Sequence, residues 1–305
     1  MADVRVQVPA TSANCGPGFD CLGLALELYN EFTFTYNESA SSYTYSFSGF
    51  GADLLKGEDP KKNLIGLAME QVFAKAGQPI QYGHITSDTM IPPSRGLGSS
   101  STAIVGGLLL ANARVDNPLT KEELLVIANR MEGHPDNVAP AIYGHLCCSA
   151  AEGETVYSTF IEVPDDLHFA VVVPEILVST EYARSVLPQH VPYKEAIGNV
   201  AHASLFVSSM ITGQLDNLKV ALRDYLHVPY RKALIPHCDQ VFAVARQEGA
   251  YGATISGSGS TLIAYCTSST VEAVAKAMGR VYQEAGIGYH VYCLKADSQG
   301  AKIID

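Results

Sequence analysis

A short loop rich in glycine and hydroxyl side chains constrains the fold of this chain more than any other segment. Residues 92–102 read Pro-Pro-Ser-Arg-Gly-Leu-Gly-Ser-Ser-Ser-Thr and run directly into the apolar stretch 103–111. Gly96 and Gly98 permit backbone torsions closed to other residues, and they let main-chain N–H groups approach a ligand closely. A helix starting at the serines would direct its unpaired N–H groups and the positive end of its dipole at the loop. The segment therefore predicts a phosphate-binding loop followed by a buried helix.

The alternative reading of this loop is a serine-capped helix entered through a tight turn, because serine is an ordinary N-cap residue. Capping requires one hydroxyl and no flanking glycines, whereas this loop has three serines and a threonine behind Gly-Leu-Gly. The Gly-Lys-Ser/Thr of a Walker A loop is absent. The loop thus indicates a different kind of phosphate cradle.

Charge and cysteine content exclude several classes of protein. The net charge of −11 over 305 residues argues against non-specific binding to nucleic acid or to an anionic membrane. A phosphate must then be bound locally, by backbone N–H groups, a few arginines and a metal ion. The start of the chain lacks the apolar segment of a signal peptide, and no run approaches the ~18 apolar residues of a membrane span. Seven cysteines without Cys-x-x-Cys spacing are interpreted as reduced, so we expect a cytoplasmic protein.

The loop at residues 92–102 resembles the phosphate-binding motif of the GHMP kinases, Pro-x-x-x-Gly-Leu-Gly-Ser-Ser-Ala, with Ser101 in place of the alanine. The resemblance implies an α+β, two-domain fold. A ribosomal-protein-S5-like ATP-binding domain would span residues 1–160, and a ferredoxin-like domain residues 161–305. It also implies ATP as co-substrate, bound by Pro92, Pro93, Ser94, Arg95, Gly96, Leu97, Gly98, Ser99, Ser100, Ser101 and Thr102.

The segment 9–26 carries one amide and one carboxylate among glycines. By spacing alone, Asn14 and Asp20 are most simply explained as turn formers. The segment resembles the N-terminal signature of homoserine kinases, and this resemblance implies that both side chains bind the amino-acid substrate. Asp20 would face its α-ammonium group in a charge-assisted hydrogen bond. Asn63 is most simply a helix N-cap, and the same resemblance places it against the adenine of ATP.

Residues 132–141 pack two carboxylates, an imidazole and an amide into six positions after a predicted helix. Phosphoryl transfer from ATP requires a divalent cation and a group that orients the attacking hydroxyl. Mg²⁺ prefers hard oxygen ligands, so Ser100 and Glu132 are the predicted metal ligands; zinc would need a third soft ligand, and none lies nearby. The resemblance to homoserine kinases implies that His134 and Asn137 contact the substrate and that Asp136 matches the base of some GHMP kinases. The predicted catalytic residues are Glu132, Asp136 and Asn137.

Two arginines stand in segments that resemble those of homoserine kinases, Arg184 in residues 179–188 and Arg231 in residues 229–236. A single arginine is usually a solvated surface group, but a planar guanidinium can also hold a carboxylate with two parallel hydrogen bonds. We interpret the pair as a clamp for the substrate α-carboxylate. His202 is either part of that pocket or a hydrogen-bonded core histidine. A third GHMP-like motif, at residues 252–261, would bring a second glycine loop against the first.

Patterns of apolar residues predict the main elements. Strands are expected at residues 4–8, with Pro9 ending the first, and at 31–36, 43–47, 80–86, 144–150, 155–163, 168–173, 262–266 and 289–294. Helices are expected at residues 65–75, from residue 99, and at 121–132, 199–211 and 270–285. The third of these begins with a capping box, Thr120-x-x-Glu123, and stops at Gly133.

The resemblance covers nearly the whole chain and implies a homoserine kinase. Such an enzyme transfers the γ-phosphate of ATP to the side-chain hydroxyl of L-homoserine and gives O-phospho-L-homoserine on the route to threonine. Two alternatives remain at this point: a GHMP kinase acting on mevalonate, a sugar or another small alcohol, and a nucleotide or amino-acid sensor without catalysis. Homodimers are common in the family, and the residues alone do not establish one here.

Overall fold

Two β-sheets organise the computed structural model, which describes residues 3–57 and 59–304. The larger sheet contains β1 (Val4–Ala13), β2 (Leu22–Tyr36), β3 (Thr44–Gly49), β4 (Gly83–Thr89), β5 (Leu146–Glu152), β6 (Thr155–Ile161) and β11 (Lys302–Ile304). The smaller sheet contains β7 (Leu167–Pro174), β8 (Gly252–Ile255), β9 (Leu262–Thr267) and β10 (Tyr289–Leu294). The strand orders are β11-β1-β2-β4-β3, with β5 joining β2 to β6, and β10-β7-β9-β8. Only β3 and β4 pair in parallel among these strands.

Helices cover the sheets and confirm the predicted α+β class. They are α1 (Ala52–Lys56), α2 (Leu64–Ala76), α3 (Ser99–Asn112), α4 (Lys121–Glu132), α5 (Pro135–Tyr143), α6 (Thr180–Ser185), α7 (Tyr193–Thr212), α8 (Leu218–Ala221), α9 (Val228–Arg231), α10 (Cys238–Gln247) and α11 (Val271–Glu284). Short 3-10 helices lie at Pro60–Lys62, Leu215–Asn217 and Lys232–Leu234. Within the described residues, no helix is both long and apolar enough to cross a membrane.

Helix α3 is buried between α2 and the larger sheet, and it anchors the glycine-rich loop. Ile104, Val105 and Leu108 are buried in the same core as Phe32 of β2. A Cβ atom at Gly107 would lie 2.3 Å from the carbonyl oxygen of Ile65, so only glycine allows α2 and α3 to come this close. The start of α3 is therefore held rigidly by the packing of its remaining turns.

The first strand differs from the prediction, because it does not end at Pro9. β1 continues to Ala13 and stays paired with β2, with a register shift between Pro9 and Ala10. Proline cannot donate to a ladder, and it is tolerated here because β11 pairs with β1 only from Arg5 to Gln7 and the ladder to β2 is irregular at this point. Within the segment 9–26, only residues 14–21 therefore form a loop.

Other elements match more closely. The capping box at Thr120 and Glu123 is present with both hydrogen bonds, and Gly133 ends α4 in the left-handed conformation. β10 has the predicted bounds, whereas α7 begins at Tyr193, six residues before the predicted start. The predicted domain boundary, between residues 160 and 161, falls at the end of β6. β11 then returns to the larger sheet, so residues from both predicted domains build it.

Candidate active site

A cavity of about 390 Å³ brings together the segments that the sequence analysis singled out. The loop of residues 14–21 contributes Asn14 and Asp20. The junction of α4 and α5 contributes Glu132, His134, Asp136 and Asn137. Arg184 and Arg231 line the same cavity, together with Asn63 and six residues of the glycine-rich loop, Pro93, Ser94, Gly96, Gly98, Ser99 and Ser100. Groups far apart in the chain thus share one enclosed space.

The glycine-rich loop has the backbone that the prediction required. Gly96 and Gly98 both have positive φ, 81° and 70°, and Gly98 is the N-cap of α3. Because the N-cap residue has no side chain, the alternative of a serine-capped helix is wrong. The third glycine motif packs against this loop: the Ser256 hydroxyl donates to the Gly96 carbonyl at 2.6 Å, and the Thr261 amide donates to the Arg95 carbonyl at 3.0 Å. The open N–H groups at the start of α3 suit an anion.

Some residues of the segment 92–102 do not face the cavity. Leu97 and Thr102 are fully buried, and the Thr102 hydroxyl donates to the Ser99 carbonyl and accepts from Asn30. Pro92 and Arg95 line a separate depression beside Glu175. Asn63 both lines the cavity and caps α2, since its side-chain oxygen accepts from the Ile65 amide at 3.0 Å. The N-cap interpretation of Asn63 is therefore correct, and a contact with adenine remains a prediction.

Glu132, the last residue of α4, lies at the start of α3. Its Oε1 atom accepts hydrogen bonds from the hydroxyls of Ser100 at 2.9 Å and Ser101 at 3.0 Å. A carboxylate and two hydroxyls are the oxygen donors that Mg²⁺ prefers. These residues, next to a predicted phosphate site, fit the expected cation.

His134 and Asp136 form a close pair beside them. His134 Nδ1 lies 2.5 Å from Asp136 Oδ1, and Asp136 is buried. Burial opposes protonation of His134, but the hydrogen bond and the charge of Asp136 outweigh it and raise the pKa of His134 above its ordinary value. Asn137 is held through its side-chain oxygen, which accepts from the Thr11 hydroxyl at 2.8 Å. The polar groups of the α4–α5 junction are therefore held in fixed orientations.

Asp20 and Arg184 bind each other in this structure. Arg184 donates from Nη1 to Asp20 Oδ2 at 3.0 Å and from Nη2 to Asp20 Oδ1 at 2.8 Å. Asp20, His134 and Asp136 have ligand atoms within 4.8 Å of one another and could together hold a cation. Both oxygens of Asp20 are already committed to Arg184, however, so Glu132 with its two serines is the better cation site.

Arg231 is a buried cation whose direct partners are neutral. Its side chain is 2% exposed, and it donates from Nε to the Ala183 carbonyl at 3.1 Å and from Nη1 to the Gly257 carbonyl at 3.0 Å. Within residues 3–57 and 59–304, no carboxylate forms an ion pair with it. Burial, and after it the charge of Arg184, lowers the pKa of Arg231 to about 10, so it still carries its charge at neutral pH.

The structure places His202 outside the cavity. Its Nδ1 atom lies 3.0 Å from the Arg223 carbonyl oxygen, and its ring stacks on Tyr225 with 5.6 Å between centroids. It is half-buried on α7, so it is neither a pocket residue nor a core histidine. Phe19 is not among the predicted site residues, although its ring centroid lies 5.6 Å from the guanidinium carbon of Arg184 and 5.1 Å from that of Arg231. Its position next to Asp20 was the one available signal.

Two family models match the chain. The GHMP kinases N terminal domain matches residues 63–145, and the GHMP kinases C terminal model matches residues 206–284. The mevalonate kinase of L. major, solved with R-mevalonate, is 17% identical and shares the fold over 96% of this chain with a TM-score of 0.73. The domains and the fold are therefore those of a GHMP kinase.

Full-length relatives narrow the class. The homoserine kinase of Synechocystis sp. is 41% identical over 303 residues, covering 99% of both chains. That of Nostoc punctiforme is 44% identical over 302 residues, covering 99% of this chain and 98% of the relative. A solved homoserine kinase from Cytophaga hutchinsonii is 27% identical, with a TM-score of 0.92 over 100% of this chain and 98% of that chain. The chain belongs to the homoserine kinase family.

Proposed function

We propose that this enzyme transfers the γ-phosphate of ATP to the side-chain hydroxyl of L-homoserine. The observation that carries the proposal is the set of charges on one side of the cavity. Arg231 offers a buried positive charge without a carboxylate partner in the described chain, next to the half-exposed pair of Asp20 and Arg184. These groups complement an α-carboxylate and an α-ammonium group, the two charges of an amino acid.

The glycine-rich loop of the cavity suits the triphosphate. The N-terminus of α3 and the left-handed glycines Gly96 and Gly98 present backbone N–H groups there. Ser100 and Glu132 would hold Mg²⁺, which would supply positive charge to neutralise the phosphates. The substrate hydroxyl is then held between the triphosphate and the charges that bind the amino acid, so that positioning supplies much of the rate enhancement.

Asp136 and Asn137 orient the hydroxyl of the substrate. Both line the cavity, and both are held in place, Asp136 by His134 and Asn137 by Thr11. We assign Asp136 as the acceptor of the proton that the hydroxyl oxygen loses when its bond to phosphorus forms. We also place the enzyme in the cytoplasm, because all seven of its cysteines are free and disulfides are rare in that compartment.

The test of this function is an assay of ADP release with ATP, Mg²⁺ and a panel of small alcohols. We expect turnover of L-homoserine, with D-homoserine, L-serine and mevalonate much slower, because mevalonate has no ammonium group for Asp20. Turnover of mevalonate but not of L-homoserine would instead identify a GHMP kinase that acts on mevalonate. ATP binding without turnover of any alcohol would instead support a sensor.

Replacing Arg231 with alanine tests the carboxylate clamp. Loss of a charge-assisted contact of about 1.5–3 kcal/mol should raise the KM for L-homoserine about 10- to 150-fold, and the KM for ATP should change little. Since Arg231 is buried, the fold of the variant is checked by its urea unfolding curve, and Arg231→Lys retains the charge with a smaller perturbation. Arg246→Ala, on the outer side of α10, is the control. Equal effects on both substrates would contradict the clamp.

Replacing Glu132 with alanine tests the metal site. The variant should need roughly tenfold more Mg²⁺ for half-maximal activity, since it loses a carboxylate ligand, and high Mg²⁺ should restore part of its activity. The measurement is the ADP-release rate against Mg²⁺ concentration. Glu154→Ala, at an exposed ion pair with Arg130, serves as the control. An unchanged Mg²⁺ requirement would move the metal site elsewhere.

We also propose that the protein forms a homodimer through the outer face of α7. Tyr193, Ile197, Val200 and Ile211 lie at helical spacing and are 83, 55, 68 and 65% exposed. Residues 196–211 contain no Asp, Glu, Lys or Arg, so the solvent side of the helix has the apolar character of a buried face. The four side chains expose on the order of 500 Å² per copy, and a symmetric pair would bury about 1,000 Å², the lower bound for a stable interface.

We expect Val200→Asp to convert this dimer into a monomer, since a charge at a self-paired face meets its own copy. Light scattering after size-exclusion chromatography measures the mass. The control is Leu54→Asp, at a 68% exposed leucine on α1. A wild-type mass of one chain at micromolar concentration would refute the dimer, and a dimeric Val200→Asp variant would place its interface elsewhere.

A further inference from the structure

Two buried side chains outside the cavity hold the loop that carries Asp20. Asn199 of α7 donates from Nδ2 to the Pro17 carbonyl at 2.8 Å. His227, which precedes α9, contacts the neighbouring Gly16 carbonyl through Nε2, also at 2.8 Å. Asn199 is 5% exposed and His227 is fully buried, and neither lines the cavity. Two adjacent carbonyls of the loop are thus bound from the other half of the chain.

Four residues of this loop have left-handed backbone conformations. Asn14, Cys15, Gly16 and Asp20 all have positive φ, at 71°, 46°, 79° and 58°. Such conformations are unfavourable for residues other than glycine, and they persist where the surroundings determine them. Within the loop, the Asn14 side chain accepts from the Asp20 amide at 3.1 Å. The hydrogen bonds from Asn199 and His227 restrain the loop further, at the turn between Asn14 and Asp20.

The hydrogen bond to the Gly16 carbonyl determines the state of the His227 ring. A carbonyl only accepts, so Nε2 must carry the proton, and in the neutral ring Nδ1 does not. Nδ1 has no hydrogen-bond partner, and burial lowers the pKa of His227 below its ordinary value, which keeps the ring neutral. The charged groups near it are Asp224, Arg231 and Asp20. His227 is therefore a neutral donor with one orientation.

The segment around His227 is itself fixed. The Asp224 carboxylate accepts hydrogen bonds from the amides of Leu226 at 3.0 Å, His227 at 2.8 Å and Val228 at 2.7 Å. The side-chain oxygen of Asn199 accepts from the Tyr225 amide at 3.1 Å. Asn199 thus binds both this segment and the loop of Asp20. The two buried donors form one unit.

The ring of Phe19 connects this unit to the arginines of the cavity. It stacks on His227, with 5.3 Å between centroids and 28° between planes. The guanidinium carbons of Arg184 and Arg231 lie 5.6 and 5.1 Å from the centroid of the same ring. A shift of His227 would therefore displace Phe19 and both guanidinium groups as well as the backbone next to Asp20.

We propose that Asn199 and His227 are positioning residues for Asp20, Arg184 and Arg231 in the cavity. They act through the Gly16 and Pro17 carbonyls and the Phe19 ring. The proposal rests on the proposed function in one respect, the amino acid used as probe. It predicts that their loss affects binding of the amino-acid substrate selectively, because within the described chain no hydrogen bond or ring contact joins either residue to the glycine-rich loop or to Glu132.

The test compares His227→Leu, His227→Gln and Asn199→Leu with the full-length wild type. His227→Leu and Asn199→Leu should raise the KM for L-homoserine at least tenfold, with the KM for ATP changed less than twofold. His227→Gln should recover most of the loss, because its side-chain amide can still donate to the Gly16 carbonyl. Calorimetric titration with L-homoserine, and separately with ADP and Mg²⁺, measures the same selectivity without turnover.

The control is His145→Leu, at another histidine stacked on a phenylalanine, Phe160, and outside the cavity. His145 has a φ of 60°, so this change should lower stability in urea while leaving both KM values near wild type. If L-homoserine fails to bind the wild type, the proposed function fails, and the variants are then compared with the alcohol that the wild type does turn over. Equal losses for both substrates, or a glutamine variant as impaired as the leucine variant, would overturn the positioning role.

Discussion

The backbone N–H and C=O groups of Gly257 connect three parts of the chain that build the cavity. Its carbonyl accepts from Asn14 at 3.1 Å and from Arg231 at 3.0 Å, and its amide donates to the Ala13 carbonyl at 3.1 Å. Each bond adds only about 1 kcal/mol, but a buried Asn14 or Arg231 left unpaired would cost more than that. The third glycine motif, the loop of Asp20 and helix α9 are therefore bound in one arrangement. The position of the buried arginine depends on this arrangement.

The acidic chain binds anionic ligands by concentrating a few positive groups rather than by a basic surface. Arg184, Arg231 and the start of α3 face the same cavity, although the net charge of the protein is −11. In a cavity that is partly shielded from solvent such groups interact more strongly than they would in water. The same cavity contains Glu132 and Asp136, so charges of both signs are separated over a short distance. That separation suits a reaction in which a phosphate, a cation and a zwitterion must lie side by side.

Local patterns in the sequence predicted those parts of the structure that local interactions determine. The capping box at Thr120, the glycine stop at Gly133 and strand β10 depend on neighbours in the chain, and they were correct. The ion pair of Asp20 with Arg184 joins residues 164 positions apart, and no local pattern contains it. Motif resemblance singled out residues that line one cavity, yet it could not show that two of them bind each other. His202 and Pro9 were misplaced for a related reason, since His202 stacks on Tyr225 and Pro9 lies in the ladder to β2, beyond the part of β1 that pairs with β11.

The pairing of β11 with β1 also has a consequence for the order in which the molecule can assemble. Among the described strands β1 is made first and β11 last, so the flank of β1 at Arg5–Gln7 has no strand partner until β11 has been made. All four strands of the smaller sheet precede β11 in the chain. The two halves therefore cannot mature strictly one after the other, since the larger sheet is completed by residues that follow the smaller one. An exposed strand flank invites pairing with other chains, and the nascent protein carries such a flank from the synthesis of β1 to that of β11.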